Sequence, residues 1–475
     1  MPPPFDTEVP ALLLRLDQNP FHHGTLGAIR SLGRAGVEVH AVVDSPHCPI
    51  GRSRYLHQGH HLPADGVYGT HRTGEVFGAD GLSDDRLEQT LRQISDRIGR
   101  PAVLIPMDDM GAIAVARLAD RLAGRFLLPN QSPGLPQRVA DKAELAEMCR
   151  ELDVPHPTTL VPRSAGGAAA AAEELGLPLI AKWSRPWLLP HGSGLRSTTV
   201  VGTVEEARAL YARSGEAGSP LLFQRCVPGG RGTDWFFHGC FGDGATCLIG
   251  GAGRKDHSWP VRAGLTAVGR WLPNPDVEEA AHRLAKHLDY RGILDLDFRF
   301  DTTTGTYQLL DFNPRPGAQF RLFTDRSGLD VVRALHLDLT GRAVAPTCPV
   351  PGRVFVAENY ALLSSLAALP SAPLPFAAAR RGRTSTESRG GWRDTETAWF
   401  AADDPAPFLA MTATWLGQGG RKVLRRTRQR MLRPPRQRRS APEADRQEGA
   451  DRTDRADRPD TSGPSRGNGT TPSRR

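Results

Sequence analysis

The stretch from Ile293 to Gly317 limits the fold of this chain more than any other. Leu294, Leu296, Phe298 and Phe300 alternate with Asp295, Asp297, Arg299 and Asp301. That period of two belongs to a strand with one greasy face and one charged face. Thr302-Thr303-Thr304-Gly305 supplies a turn and Tyr307 to Asn313 a returning strand, so the segment reads as a hairpin. Asp311 and Asn313 stand two residues apart and share a face. If Asp297 lies on that face too, two carboxylates and an amide carbonyl converge, and such hard oxygen donors suit Mg²⁺ bridged to phosphates. Pro314-Arg315-Pro316-Gly317 then turns sharply, holding Arg315 where its planar guanidinium can grip phosphoryl oxygens in pairs. A half-solvated hairpin also alternates apolar and charged residues, but three polar groups pinned by prolines at a strand end are harder to explain that way.

Upstream, strands and helices alternate. Val9 to Leu14, Val37 to Val43, Val103 to Pro106 and Phe126 to Leu128 read as strands, with helices at Thr25 to Ala35 and Asp109 to Leu122. This order predicts a parallel sheet covered by helices. The first loop, Asn19 to Gly24, lacks the glycine spacing that a pyrophosphate needs, so dinucleotide binding is not expected there. Asp141-Lys142-Ala143-Glu144 and Thr203-Val204-Glu205-Glu206 carry capping-box signatures. Strands are expected at Leu179 to Trp183, Leu221 to Gln224, Trp235 to Phe241 and Thr246 to Ile249, and a helix at Asp276 to Leu288. Ser184 to Ser197, with Trp187, His191, Gly192, Ser193 and Gly194, reads either as a glycine-hinged lid over phosphates or as an ordinary turn. Arg254-Lys255 reads as a basic loop, solvated or holding a substrate carboxylate. His22, His23 and Gly24 are candidates to line a substrate cleft. Helix-like Asn359 to Leu369 and apolar Pro407 to Leu416 follow.

Composition narrows the class. The net charge is +8, yet residues 421 to 439 alone carry ten cations and no acid, leaving −2 on the first 420 residues. A general nucleic-acid-binding body is therefore not expected. The ten cations interleave with Val423, Leu424, Met431 and Leu432, which suits the surface of an anionic membrane, a solvated cationic tail or nonspecific attraction to nucleic acid. Residues 440 to 475 are low-complexity and read as disordered. No apolar run spans a membrane, no signal peptide is evident, and the six cysteines form no Cys-x-x-Cys pair. A cytoplasmic protein, peripheral at the inner face of a membrane if the basic segment docks there, is expected.

Leu310-Asp311-Phe312-Asn313-Pro314-Arg315 resembles the ATP-grasp signature of an acidic residue, any residue, Asn, Pro and Arg at a strand end. Within that family the chain is most similar to carboxylate–amine ligases of the D-aspartate ligase kind. The resemblance implies an α/β fold: a Rossmann-like pre-ATP-grasp domain (1–130), an ATP-grasp domain of two α+β lobes (131–345), a folded extension (346–418) and a basic, disordered tail (419–475). It implies ATP with Mg²⁺ or Mn²⁺ held by Asp297, Asp311 and Asn313. Lys142 and Lys182 match the lysines on ATP phosphates, Gln224 and Val227 the hinge strand around adenine, and Asp234 a ribose contact. Many members have Glu where this chain has Gln224, whose amide oxygen can still accept a proton from adenine. Arg315 and Lys182 are the implied catalytic groups. Arg254, Lys255, His23 and Gly24 are implied contacts to a small-molecule carboxylate or amine. The implied reaction makes an acyl-phosphate and joins it to an amine. The alternatives are a small-molecule kinase and a non-catalytic ATP-binding scaffold.

Overall fold

A computed structural model describes residues 5–17, 19–45, 47–62, 83–190, 192–230, 232–259, 265–367 and 394–417. His191, Pro260, Gly264, the basic segment 421–439 and the expected disordered tail lie outside them. Three sheets organise the described residues.

The first sheet holds β1 (Ala11–Leu14), β2 (Val39–Val42), β3 (Gln58–His60), β4 (Ala102–Pro106) and β5 (Phe126–Leu127), all parallel in the order β3-β2-β1-β4-β5. An unbroken apolar strand is what a sheet covered on both faces requires. Accordingly, Ala11 and Leu13 pack with Leu26, Ile29 and Leu32 of the helix His23–Arg34, while Leu12 and Leu14 pack with Leu87, Leu91 and Ile94 of Asp84–Ile98. The expected helix from Asp109 to Leu122 is two, Asp109–Arg117 and Ala119–Leu122, meeting at Leu118.

The second sheet is antiparallel: β6 (Thr159–Leu160), β7 (Leu179–Trp183), β8 (Thr198–Val201) and β9 (Leu221–Arg225), in the order β6-β9-β7-β8. Leu179, Ala181, Trp183 and Phe223 pack under the helices Ala165–Leu175 and Val204–Tyr211, whose alanines let backbones approach closely. Alternation along the strands puts Lys182 and Gln224 on the other face.

The third sheet contains β10 (Asp234–Phe241), β11 (Cys247–Trp259), β12 (Leu265–Trp271), β13 (Gly292–Asp301), β14 (Thr306–Asn313), β15 (Val354–Val356) and β16 (Thr395–Thr397), in the order β14-β13-β10-β11-β12-β15-β16. Phe237, Phe241, Leu294, Leu296, Phe298 and Phe312 form one apolar face with the helices Lys142–Glu151 and Pro275–His287. Two features differ from expectation. β11 runs far past Ile249, so Arg254 and Lys255 stand on a strand and not in a loop. The stretch beyond Val354 extends this same sheet. It is tied to the first helix by the buried pair Arg30 Nε to Asp404 Oδ2 (2.9 Å), with Arg30 Nη2 also donating to the carbonyls of Trp399 (2.7 Å) and Asp404 (2.8 Å). Breaking such a buried pair from one side costs about 3–5 kcal/mol.

Candidate active site

The charged face of the hairpin is built by an irregularity in its ladder. From the turn upward Asp301 pairs with Thr306, Arg299 with Gln308 and Phe298 with Leu309. Uninterrupted pairing would set Leu310 opposite Asp297 and turn Asp311 to the apolar face. Instead the register shifts after Phe298, Leu310 is the extra residue of a bulge, and Asp311 faces Asp297 directly. Asn313 then faces Asp295. The bulge also frees the Leu310 carbonyl, which accepts from Lys182 Nζ at 2.9 Å.

Two lysines from different elements meet on Asp311. Lys182, near the end of β7, reaches Asp311 Oδ1 at 3.2 Å, and Lys142 reaches the same oxygen at 2.9 Å. Lys142 opens its helix behind the N-cap Asp141, whose carboxylate accepts from Ala143 N (3.0 Å), Ser184 Oγ and Arg185 Nε (2.7 Å). Lys142 N donates to Ser184 O at 2.9 Å. Asp141 thus welds this helix start to the end of β7 and holds the two ammonium groups together, where an N-cap alone contributes about 1 kcal/mol. Burial pushes Lys182 below the ordinary lysine range, with Lys142 adding to the effect against the pull of Asp311. Burial works the same way on Lys142, but Asp311 and Asp109 outweigh it and hold Lys142 above that range. Burial alone would raise Asp311, yet the two lysines hold it well below the usual carboxylate range.

Across the ladder, Asp297 pairs with Lys255 Nζ at 2.7 Å. Burial, with Asp295 beside it, still pushes Asp297 above the usual range. Facing carboxylates on one ladder repel, and their spacing of about 5 Å between Cβ atoms lets one cation serve both. With the Asn313 amide nearby, these donors fit Mg²⁺, which takes oxygen ligands. Arg315 sits at the centre of a polar knot: Nε to Asp109 Oδ1 (3.1 Å), Nη1 to Asp295 Oδ2 (3.4 Å) and Nη2 to Asn313 Oδ1 (3.2 Å). Asp109 opens a helix at the carboxyl edge of the first sheet, so Arg315 joins that sheet to the hairpin.

The remaining candidates are placed as follows. Gln224 is buried and donates Nε2 to Thr159 Oγ1 (3.1 Å), and Val227 is buried just past β9. Asp234 pairs with Arg299 (2.7 Å) at the start of β10. Arg254 turns to Asp256 (3.0 Å) and not to the Asp297–Asp311 pair. His23 faces no cleft: it is 4% exposed, against the rings of Phe355, Tyr360 and Trp399, and burial pushes it down to about 4. It is a core residue. Gly24 allows a close approach, since a Cβ there would stand 3.0 Å from Ala318 Cα. Gly192 and Gly194 both hold positive φ within 184–197.

Three further participants are plain only in the structure. His238, wholly buried, lies 2.9 Å from Asp295 Oδ1 through Nε2, behind Arg315. Gly317 is the residue that makes room for this pair, because a Cβ would come within 2.6 Å of His238 Nε2 and 2.7 Å of Asp295 Oδ2. Asp109 is the third. Period-two counting along β10 from Asp234 to His238 would have put His238 on the charged face, whereas nothing in the sequence links Asp109 to Arg315.

The architecture has solved counterparts. The biotin carboxylase domain of Hydrogenobacter thermophilus 2-oxoglutarate carboxylase, crystallised with MgADP, ADP and bicarbonate, superposes with a TM-score of 0.52 at 16% identity, covering 72% of this chain and 73% of that one. The L-amino acid ligase from Bacillus licheniformis matches with a TM-score of 0.52 at 13% identity over 73% of this chain and 78% of that one. The chain has the ATP-grasp fold. In sequence, the D-aspartate ligase of Enterococcus faecium is 23% identical over 267 residues, which is 53% of this chain. The match spans 62% of that ligase's length. No family model matches. Lys182 and Gln224 come from the small sheet and the carboxylates from the large one, so the contact of Lys182 with Asp311 bridges the two sheets.

Proposed function

We propose that this protein is an ATP-dependent carboxylate–amine ligase that works through an acyl-phosphate. The observation that carries the reading is the meeting of Lys142 and Lys182 on Asp311, directly across the ladder from Asp297 and beside Arg315. Buried ammonium groups and carboxylates in such excess are costly unless a polyanion and its counter-cation occupy them. The triphosphate fits the lysines, and adenine fits the end of β9 at Gln224 and Val227, with Asp234 toward the ribose. Asp297, Asp311 and Asn313 would hold Mg²⁺, or Mn²⁺, which supplies charge neutralisation at the phosphates when bound.

Catalysis by these residues is positional and electrostatic. Lys182 and Arg315 neutralise charge that develops on the γ-phosphoryl group as a substrate carboxylate oxygen attacks it and ADP leaves. Lys142 holds the phosphates in line. The amine then attacks the acyl carbon, phosphate leaves, and the amine loses a proton to solvent or phosphate. Residues 184–197, with Gly192 and Gly194 at positive φ, are suited to exclude water from the acyl-phosphate. The basic segment 421–439 is suited to a loose hold on an anionic membrane surface.

The test is incubation of the intact protein with ATP, Mg²⁺ and panels of carboxylates and amines, read by mass spectrometry. Formation of ADP, phosphate and an amide is expected, with a hydroxamate when hydroxylamine replaces the amine. AMP and pyrophosphate would overturn the mechanism, and a stable phosphorylated product would make the protein a kinase.

A further inference from the structure

At the outer edge of the first sheet, away from the cleft, lies a cluster that the ligase reading leaves unused. Glu38 and His40 are two residues apart, so both project from one face of the β2 segment. His57 enters β3 alongside, its backbone N–H donating to Val39 O at 2.8 Å. One carboxylate oxygen of Glu38 and one ring nitrogen each of His40 and His57 all lie within 4.8 Å of one another.

We infer that Glu38, His40 and His57 form a binding site for a transition-metal dication, Zn²⁺ foremost, that clips the short edge strand β3 to β2. Two imidazoles with one carboxylate are a donor set that zinc takes in tetrahedral sites with a fourth position left to water. Nitrogen donors also separate this site from the oxygen-only set in the cleft, which suits Mg²⁺. Ligands about 2 Å from zinc stand roughly 3.3 Å apart in a tetrahedron. The exposed ring of His57 has the freedom to close that gap by rotation.

The surroundings fit as well. A metal-bound histidine carries its proton on the other ring nitrogen and donates it to an acceptor, which fixes the ring. His40 presents Nε2 toward Glu38 Oε1 (2.9 Å) and has His60 Nε2 at 3.0 Å from its Nδ1. The His60 ring stacks on His40 at 5.2 Å and 26°, buried at 2% exposure. Arg100 Nη2 holds Glu38 Oε2 at 2.9 Å, which leaves Oε1 for the metal and fixes the carboxylate. Arg100 and, near His60, Arg97 are the nearby cations that oppose binding.

The experiment strips the full-length protein with chelator and titrates it with ZnCl₂ in Mg²⁺-free, nucleotide-free buffer by calorimetry. X-ray absorption at the zinc edge follows. One zinc per chain is expected, with imidazole scattering and a nitrogen and oxygen shell. His57→Ala, which changes an exposed side chain, should weaken binding at least about tenfold, and Glu38→Gln likewise, while ADP formation stays at the wild-type level. Unchanged zinc affinity in both variants would overturn the site. So would a sulfur shell, which would assign the metal to the cysteines, or the absence of any zinc binding to the wild-type protein.

Discussion

Replacing Asp311 by Asn tests whether the two cleft lysines are phosphate ligands held in reserve by a carboxylate. Asp311 Oδ1 lies 2.9 Å from Lys142 Nζ and 3.2 Å from Lys182 Nζ. At an effective dielectric constant of 20, each contact corresponds to about 5 kcal/mol of Coulomb energy before desolvation is counted. Removing one partner of a fully buried ion pair costs about 3–5 kcal/mol net. The Asp311 side chain is 29% exposed, so solvent screening brings the expectation to about 2–3 kcal/mol. A nucleotide-free Asp311→Asn protein should therefore melt several degrees below wild type. In wild type, ATP without Mg²⁺ must compete with Asp311 for the lysines; in the variant it meets them unpaired. Scanning fluorimetry with ATP in excess EDTA should thus raise the melting temperature of Asp311→Asn more than that of wild type, while Mg²⁺-dependent turnover falls about 10²-fold or more. An equal ATP shift in both proteins would refute the reasoning, because the lysines would not then be phosphate ligands.

Arg315→Ala should fold and lose about 10²-fold or more in turnover, measured as ADP release, with near-normal turnover returning Arg315 to a purely structural role. Gly317→Ala, which adds only a methyl group, should drive His238 and Asp295 apart and cost about 10²-fold in kcat through a displaced Arg315. Asp108, the N-cap that accepts from Asp17 N (2.7 Å) and Gly111 N (2.6 Å), is raised to about 6 by burial and by Asp17. Its stabilising protonation is complete below about pH 4 and lost as pH rises through about 6, a swing of roughly 3 kcal/mol. Asp108→Asn should flatten that part of the pH–stability profile relative to wild type, whatever constant offset the amide brings, and parallel profiles would show that Asp108 does not titrate there. A chain ending at Gly420 should bind anionic liposomes less than the intact protein at low salt, and equal co-sedimentation of both would remove the membrane role.

Much of the cleft was legible because strand periodicity is a property of the sequence. The hairpin and the shared face of Asp311 and Asn313 follow from counting by two, and β7 with Lys182 near its end from a short apolar run. Lys142 was harder to read, since a lysine at a helix start looks like a surface charge until Asp141 is seen binding Ser184 and Arg185. His23 misled because a histidine at a loop end signals polarity, whereas its neighbours Phe355, Tyr360 and Trp399 arrive from more than 300 residues away. The length of β11 is not legible because Gly250, Gly251 and Gly253 weaken any local strand signal; Cβ atoms there would collide with the rings of Phe237, Trp271, Phe236 and Phe323. Among the described residues, the strands beyond residue 353 are three residues each and carry no period of their own.

The bulge at Leu310 makes the hairpin tolerant of one length change and intolerant of others. Deleting Leu310 would leave an uninterrupted ladder in which Leu309 still faces Phe298 and Asp311 still faces Asp297, so the facing carboxylates would survive and the bulge carbonyl that accepts from Lys182 would be lost. Deleting Phe312 instead would set Asn313 opposite Leu296 and turn it into the apolar layer. A lineage carrying this hairpin can therefore lose the bulge residue without exchanging its faces, whereas a single-residue loss between Asp311 and Asn313 should be purged. For anyone aligning such hairpins by sequence, a gap of one at Leu310 keeps the cleft residues matched.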